Sequence, residues 1–93
     1  MSETLETRRK RLYMRSIRRG IKEMDVILTA YAGAHLGQME GAALDAYEAL
    51  LDEADLDIYP WIIGQTPPPP EHAALVKEIA AQFNELRDVS HLT

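Results

Sequence analysis

Four consecutive prolines at residues 67–70 and isolated glycines at 20 and 64 cut this 93-residue chain into pieces of helix length. Within each piece the apolar residues recur at steps of three and four, the period of one helical face, and not at steps of two. The first piece, residues 4–19, has no Gly or Pro and is rich in Arg, Leu and Met, all good helix formers. Leu12, Tyr13 and Ile17 are expected on its core side, and Gly20 is expected to end it in a left-handed conformation. A second helix is expected over 22–36, with Met24, Ile27, Leu28, Tyr31 and Leu36 inward and Gly33 and Gly37 loosening its last turn. The third should run over 39–52, facing inward through Leu44, Tyr47, Leu50 and Leu51. Asp55 or Asp57 is expected to cap a short fourth helix. With Asp57 as cap, Pro60 falls at the third helical position, where its missing N–H has no acceptor to lose. Trp61, Ile62 and Ile63 then reach the core and Gly64 ends the element. The proline run could be an SH3-type ligand, but a run this short directly before a helix is more often a stiff spacer that sets the start of a last helix, expected over 70–87 and built on Leu75, Val76, Ile79, Ala80, Phe83 and Leu86. Residues 1–6 and 88–93 are expected to fray. The only strand-like stretch, residues 58–63, contains a proline and lies between helices. The expectation is an all-α fold: one domain over residues 1–93, a bundle of four to five short helices.

Composition narrows the function classes. With 46% apolar and 27% charged residues a folded globule is expected, and 93 residues suffice for one core. Absence of cysteine removes disulfides, thiolate nucleophiles and Cys-based metal or iron–sulfur sites. No apolar run approaches the roughly 20 residues needed to span a bilayer. The N-terminus has no apolar signal region, and Glu3 and Glu6 speak against a transit peptide, so a cytoplasmic location is expected. The net charge of −5 conceals a division: residues 1–22 carry +6, and residues 23–93 carry −11. Arg8, Arg11, Arg15, Arg18 and Lys22 recur at steps of three and four, which strings them along one stripe of the first helix and its end. Such a stripe can face an acidic partner or the chain's own acidic body. Composition leaves both open.

Candidate chemistry is sparse. His35, His72 and His91 are widely spaced and read as surface or capping residues, so no metal site is expected. Ser2, Ser16 and Ser90 lack a nucleophile elbow, and no Gly-rich phosphate cradle or dinucleotide fingerprint is present. Asp52, Glu53, Asp55 and Asp57 read as helix caps and solvating charge, not as a catalytic pair. No catalytic residue and no cofactor-binding residue is expected. The basic stripe could bind nucleic acid, but the acidic remainder would repel phosphate and no aromatic–basic interleaving suggests base stacking. A membrane-surface role is limited by the helix's modest apolar face. A small all-α enzyme of chorismate-mutase type would need longer helices aiming charges into a pocket.

One unit stands out: Arg18-Arg19-Gly20-Ile21-Lys22-Glu23-Met24-Asp25. It places arginine, glycine and carboxylate at a helix–helix corner. On one reading this is a glycine cap with an exposed Arg19–Glu23 salt bridge, at most about 1 kcal/mol. On the other, Gly20 admits a partner's backbone while Arg19 and Glu23 offer directional hydrogen bonds. The octapeptide resembles the Arg-Gly-x-x-Glu signature of the succinate dehydrogenase flavinylation factors, the SdhE-type family. Arg11-Leu12 and Arg15-Ser16 resemble that family's basic first helix. Tyr31-Ala32-Gly33-Ala34-His35-Leu36 is similar to the end of its second helix, and Tyr47-Glu48-Ala49-Leu50-Leu51 to its third. Asp55-Leu56-Asp57-Ile58-Tyr59-Pro60-Trp61-Ile62 is similar to its Asp-x-Asp-x-aromatic-x-Trp segment, with Pro60 where the family pattern is polar. The resemblance, over residues 8–64, implies a five-helix monomer that binds the flavoprotein subunit of succinate dehydrogenase, with that of fumarate reductase as a second client. It implies an assembly factor, not an enzyme, that promotes the bond between a client histidine and FAD. FAD would belong to the client. The family motif falls on Arg19, Gly20 and Glu23, with Arg15, Arg18, Met24 and Asp25 as neighbouring partner-binding surface.

Overall fold

Thr4 accepts a hydrogen bond on its hydroxyl from the Thr7 N–H at 3.1 Å, and this cap starts helix α1 (Leu5–Ser16). The structure, a computed structural model, describes residues 3–92, with side chains to residue 85. The expected fraying of residues 1–6 therefore does not extend to 5 and 6, and residues 1 and 2 lie outside the described part. Helix α1 also stops earlier than its pattern suggests. Ser16 turns its hydroxyl back onto the Leu12 carbonyl at 2.8 Å and Ile17 leaves helical geometry. Residues 17–21 then form an irregular corner. Gly20 in that corner does not adopt a left-handed conformation, so the expected glycine cap is absent.

Helix α2 (Lys22–His35) follows and tightens into a 3₁₀ turn over Leu36–Gln38, where Gly33 and Gly37 loosen the pattern. Helix α3 (Ala42–Leu51) begins three residues later than expected because Gly41, at φ 54° and ψ −126°, turns the chain in a region where side chains are disfavoured. Helix α4 (Asp55–Ile62) has Ala54 before it, with no side-chain cap. Asp55 and Asp57 thus both lie inside its first turn, and Pro60 is its sixth residue, not its third. The chain leaves α4 through Gly64, at φ 81°, while the Pro60 carbonyl accepts from the Gln65 and Thr66 N–H groups at 2.8 and 3.2 Å. Helix α5 (Pro70–Leu92) opens on a proline, as the tract predicts, and its backbone continues past residue 87. The tail expected to fray from 88 is helical to 92, and residue 93 is not described. Among the described residues there is no strand.

Helix α2 lies at the centre, packed on α1, α4 and α5, and α3 bridges α1 and α5. One core joins Leu12, Met24, Leu28, Leu44, Leu50 and Ile79, all at most 1% exposed. Burial of each such side chain contributes on the order of 2 kcal/mol, well above any exposed ion pair. Tyr47 is also fully buried, and its hydroxyl meets Ser16 Oγ at 2.6 Å. Burial raises its phenol's pKa, partly offset by that hydrogen bond. Two apolar expectations fail at helix edges. Tyr13 is 38% and Ile63 44% exposed, while Ile58 is fully buried in place of Ile63. The earlier start of α4 rotates its inward face onto Ile58 and Ile62. Leu86 lies outside the residues whose side chains are described.

Candidate functional site

The basic stripe of α1 lies along α3, and the two helices run side by side in the same direction. Arg8 pairs with Asp45 at 2.7 Å and Glu48 at 2.9 Å, Arg11 with Glu48 at 3.0 Å, and Arg15 with Asp52 at 2.9 Å. Each acid stands 37 residues after an arginine it meets, and Glu48 also meets Arg8, 40 residues before it. The Arg11 and Arg8 guanidinium groups hold the Glu48 carboxyl below the usual carboxylate range, and Arg11 does the same for Glu3. Of the two readings open for this stripe, the chain's own acidic body takes Arg8, Arg11 and Arg15.

The stripe ends in a buried clamp. Arg19 donates from Nε to Asp55 Oδ1 at 2.6 Å, from Nη1 to the Leu51 carbonyl at 3.1 Å, and from Nη2 to the Glu53 carbonyl at 3.0 Å. The other oxygen of Asp55 accepts the backbone N–H of Gly20 at 2.8 Å and of Ile21 at 3.2 Å. The Arg19 N–H donates to Asp25 Oδ1. Side chains of Arg19 and Asp55 are each 10% exposed. Helix α4 begins at Asp55, where the dipole favours negative charge. The N–H groups of Arg19, Gly20 and Ile21, which sit outside any helix, thus find their acceptors in two carboxylates, Asp25 and Asp55. Among the described residues no buried side-chain polar atom lacks a partner.

This arrangement sorts the sequence-derived site residues. Arg18, Gly20 and Glu23 are exposed, with Lys22 beside them, and none of these side chains makes an ion pair among the described residues. The expected Arg19–Glu23 bridge does not form, because Arg19 is spent on Asp55. Arg15 is half-buried against the Leu51 carbonyl and Asp52. Asp25 is half-buried under the Arg19 N–H. Met24 is fully buried in the core and is not a surface residue. Asp55 is the site residue that the sequence reading does not single out: in a run of four acids it reads as a helix cap or solvating charge. A buried arginine needs a buried acid, and the position of Asp55 at the head of a helix was the available signal. A second acid of that run is also placed. Glu53 bonds His72 Nε2 at 2.8 Å, and His72, expected at the surface, is 4% exposed and stacked 5.8 Å from Trp61. His35 is exposed and meets Gln82 at 2.7 Å. The side chain of His91 is not described.

Chemically, the corner offers hydrogen-bond donors, a carboxylate and approachable backbone, with no nucleophile aimed at a cavity. Among the described residues no cluster of three His, Asp or Glu converges to hold a metal. No helix among them is long and apolar enough to cross a membrane. A shallow groove beside the corner is lined by Arg11, Met14, Arg15, Arg18 and Arg19.

Residues 10–83 match a protein family, Sdh5, described as "Flavinator of succinate dehydrogenase". Curated relatives agree. The chain is 42% identical over 73 residues to a Candida glabrata protein named "Succinate dehydrogenase assembly factor 2, mitochondrial", covering 76% of this chain and 48% of that one. A Meyerozyma guilliermondii protein of the same name is 48% identical over 59 residues, 63% of this chain and 44% of its own. The Saccharomyces cerevisiae counterpart is 35% identical over 92 residues, 94% of this chain and 56% of its own. The chain spans about half the length of the curated relatives it matches.

Proposed function

The chain belongs to the Sdh5 family of succinate dehydrogenase flavinators, and from that membership we propose that it binds the flavoprotein subunit of succinate dehydrogenase and promotes covalent attachment of FAD to a histidine there. The observation that carries this reading is the exposed edge Arg18–Gly20–Glu23, held in one shape by the buried Arg19–Asp55 clamp. Histidine and flavin both belong to the client, so the chain acts as an assembly factor and not as an enzyme. Its contribution is to favour a client conformation that aligns the two, and alignment of reacting groups can be worth several kcal/mol. Within the sequence-derived set, Arg18, Gly20 and Glu23 meet the client, with the edge of Asp25. Arg15, Arg19 and Met24 are positioning residues that act from inside.

The same proposal takes the flavoprotein subunit of fumarate reductase as a further client and the free chain as a cytoplasmic monomer. The relatives named above are mitochondrial proteins, and cell fractionation separates the two locations. No tight FAD site of its own is proposed, since the sequence has no dinucleotide fingerprint; a flavin titration with micromolar affinity would overturn this. Nucleic acid is a poorer reading than the stripe alone suggests, because Arg8, Arg11, Arg15 and Arg19 are already paired within the chain.

Gly20→Arg tests the proposed edge. A Cβ there would lie 3.8 Å from Asp55 Oδ2, ordinary contact, and the backbone is not left-handed, so the variant should fold. Far-ultraviolet circular dichroism should match wild type while affinity for the flavoprotein subunit is lost. A folded variant that binds and supports flavinylation at the wild-type rate contradicts the assignment.

A further inference from the structure

A second groove runs between α1 and the C-terminal end of α2. Its walls are Tyr13, Met14 and Leu36, and Gly33 and Gly37 line it as well. Tyr13 and Met14 are 38% and 42% exposed, both large side chains, and Tyr13 points away from the core it was expected to join. The two glycines have no internal reason to be glycine. Neither has a left-handed φ, and a Cβ added at either meets nothing within 4 Å. Each loosens its helical segment without relieving any crowding inside this chain. Two cations, Arg9 and Lys10, also line the groove, and no carboxylate does. Arg9 spends Nε and Nη2 on the neutral Met39 carbonyl, at 3.0 and 2.9 Å, which leaves its charge uncompensated. Lys10 has only a screened 3.6 Å contact with Glu6, both side chains being over three-quarters exposed.

We propose that this groove is a second docking surface for the flavoprotein client, seating an apolar side chain flanked by carboxylates. The inference rests on the function proposed above and extends its footprint. Specific interfaces bury about 800 Å² per partner, some 20–30 residues a side. The edge Arg18–Gly20–Lys22–Glu23 is far too small to reach that alone. Met14 lines both the apolar groove and the arginine-lined groove beside the corner, so the two surfaces are continuous. A partner that covers the corner and extends across Met14 enters an apolar trough with a positive rim. The complement of that trough is an acidic segment with an apolar anchor, not a neutral or basic one.

The test uses the full chain and the purified flavoprotein subunit. Gly33→Leu fills the trough with a good helix former, and Lys10→Glu reverses its rim. Gly33→Leu should keep or raise the melting temperature yet weaken client binding about tenfold. Lys10→Glu should slow association several-fold at low salt, an effect that fades as salt rises. Met14→Asp, at an exposed position, repeats the test should Gly33→Leu fail to fold. Wild-type affinity in the folded variants overturns the groove while leaving the corner standing. A wild-type chain that does not bind the subunit at all sinks the proposed function and this occupant together. Dimerisation of the free chain that Gly33→Leu abolishes would assign the groove to a second copy and overturn the proposal.

Discussion

Asp55 joins three things that are far apart in sequence: the guanidinium of Arg19, the peptide N–H groups of Gly20 and Ile21, and the first turn of α4. Removing its charge leaves Arg19 buried without a counter-ion. Loss of one partner of a buried pair costs about 3 kcal/mol or more, several times what an exposed pair contributes. Asp55→Asn is therefore expected to lower stability by about 3 kcal/mol in urea denaturation. A change under about 1 kcal/mol would mean the pair behaves as if solvated. By contrast the arginines of the α1 stripe meet acids that are more open to water, 70% exposed at Asp45 and 67% at Asp52. The charge pattern of residues 8–22 was legible as a stripe, but not the depth at which each charge sits. Depth depends on how α3 and α4 pack over the corner, and single-residue spacing does not encode that.

At the scale of elements, existence was legible and ends were not. All five helices stand where the apolar period put them. Three boundaries moved because a local bond or a turn outcompeted propensity: Ser16 on the Leu12 carbonyl, Gly41 in its left-handed turn, and Asp55 drawn to the corner. The last of these carries a cost. By starting at Asp55, α4 places Pro60 in its interior, where the Leu56 carbonyl four residues back has no proline N–H to accept. An interior proline disfavours a helix by about 3 kcal/mol, offset in part by the stiffness it lends the unfolded chain, about 0.4–1 kcal/mol. Pro60→Ala is thus expected to stabilise the fold by roughly 2 kcal/mol, read as a rise in melting temperature. A fall would show that the proline is fitted to its site. The connector at residues 67–69 behaved as its composition dictates, since α5 begins on Pro70 and the Pro69 carbonyl accepts from the His72 N–H at 3.0 Å.

For the whole molecule, the −5 net charge is a poor guide and the division into +6 and −11 a good one. Most of the positive stripe is neutralised by α3 and α4, so what remains for a partner among the described residues is a small set at the corner and groove: Arg9, Arg18 and Lys22, with Lys10, whose one contact is exposed, and with Glu23 as the acid among them. The proposed action needs no reacting group from this chain, only a surface of fixed shape, and a fixed shape is what the clamp between residues 19 and 55 supplies. The direct measurement is in-gel flavin fluorescence of the denatured succinate dehydrogenase flavoprotein subunit from cells lacking this gene, with and without the gene restored. The account predicts that the fluorescence is lost or strongly reduced on deletion and returns with the wild-type chain but not with Gly20→Arg. Undiminished covalent flavin in the deletion strain would contradict it.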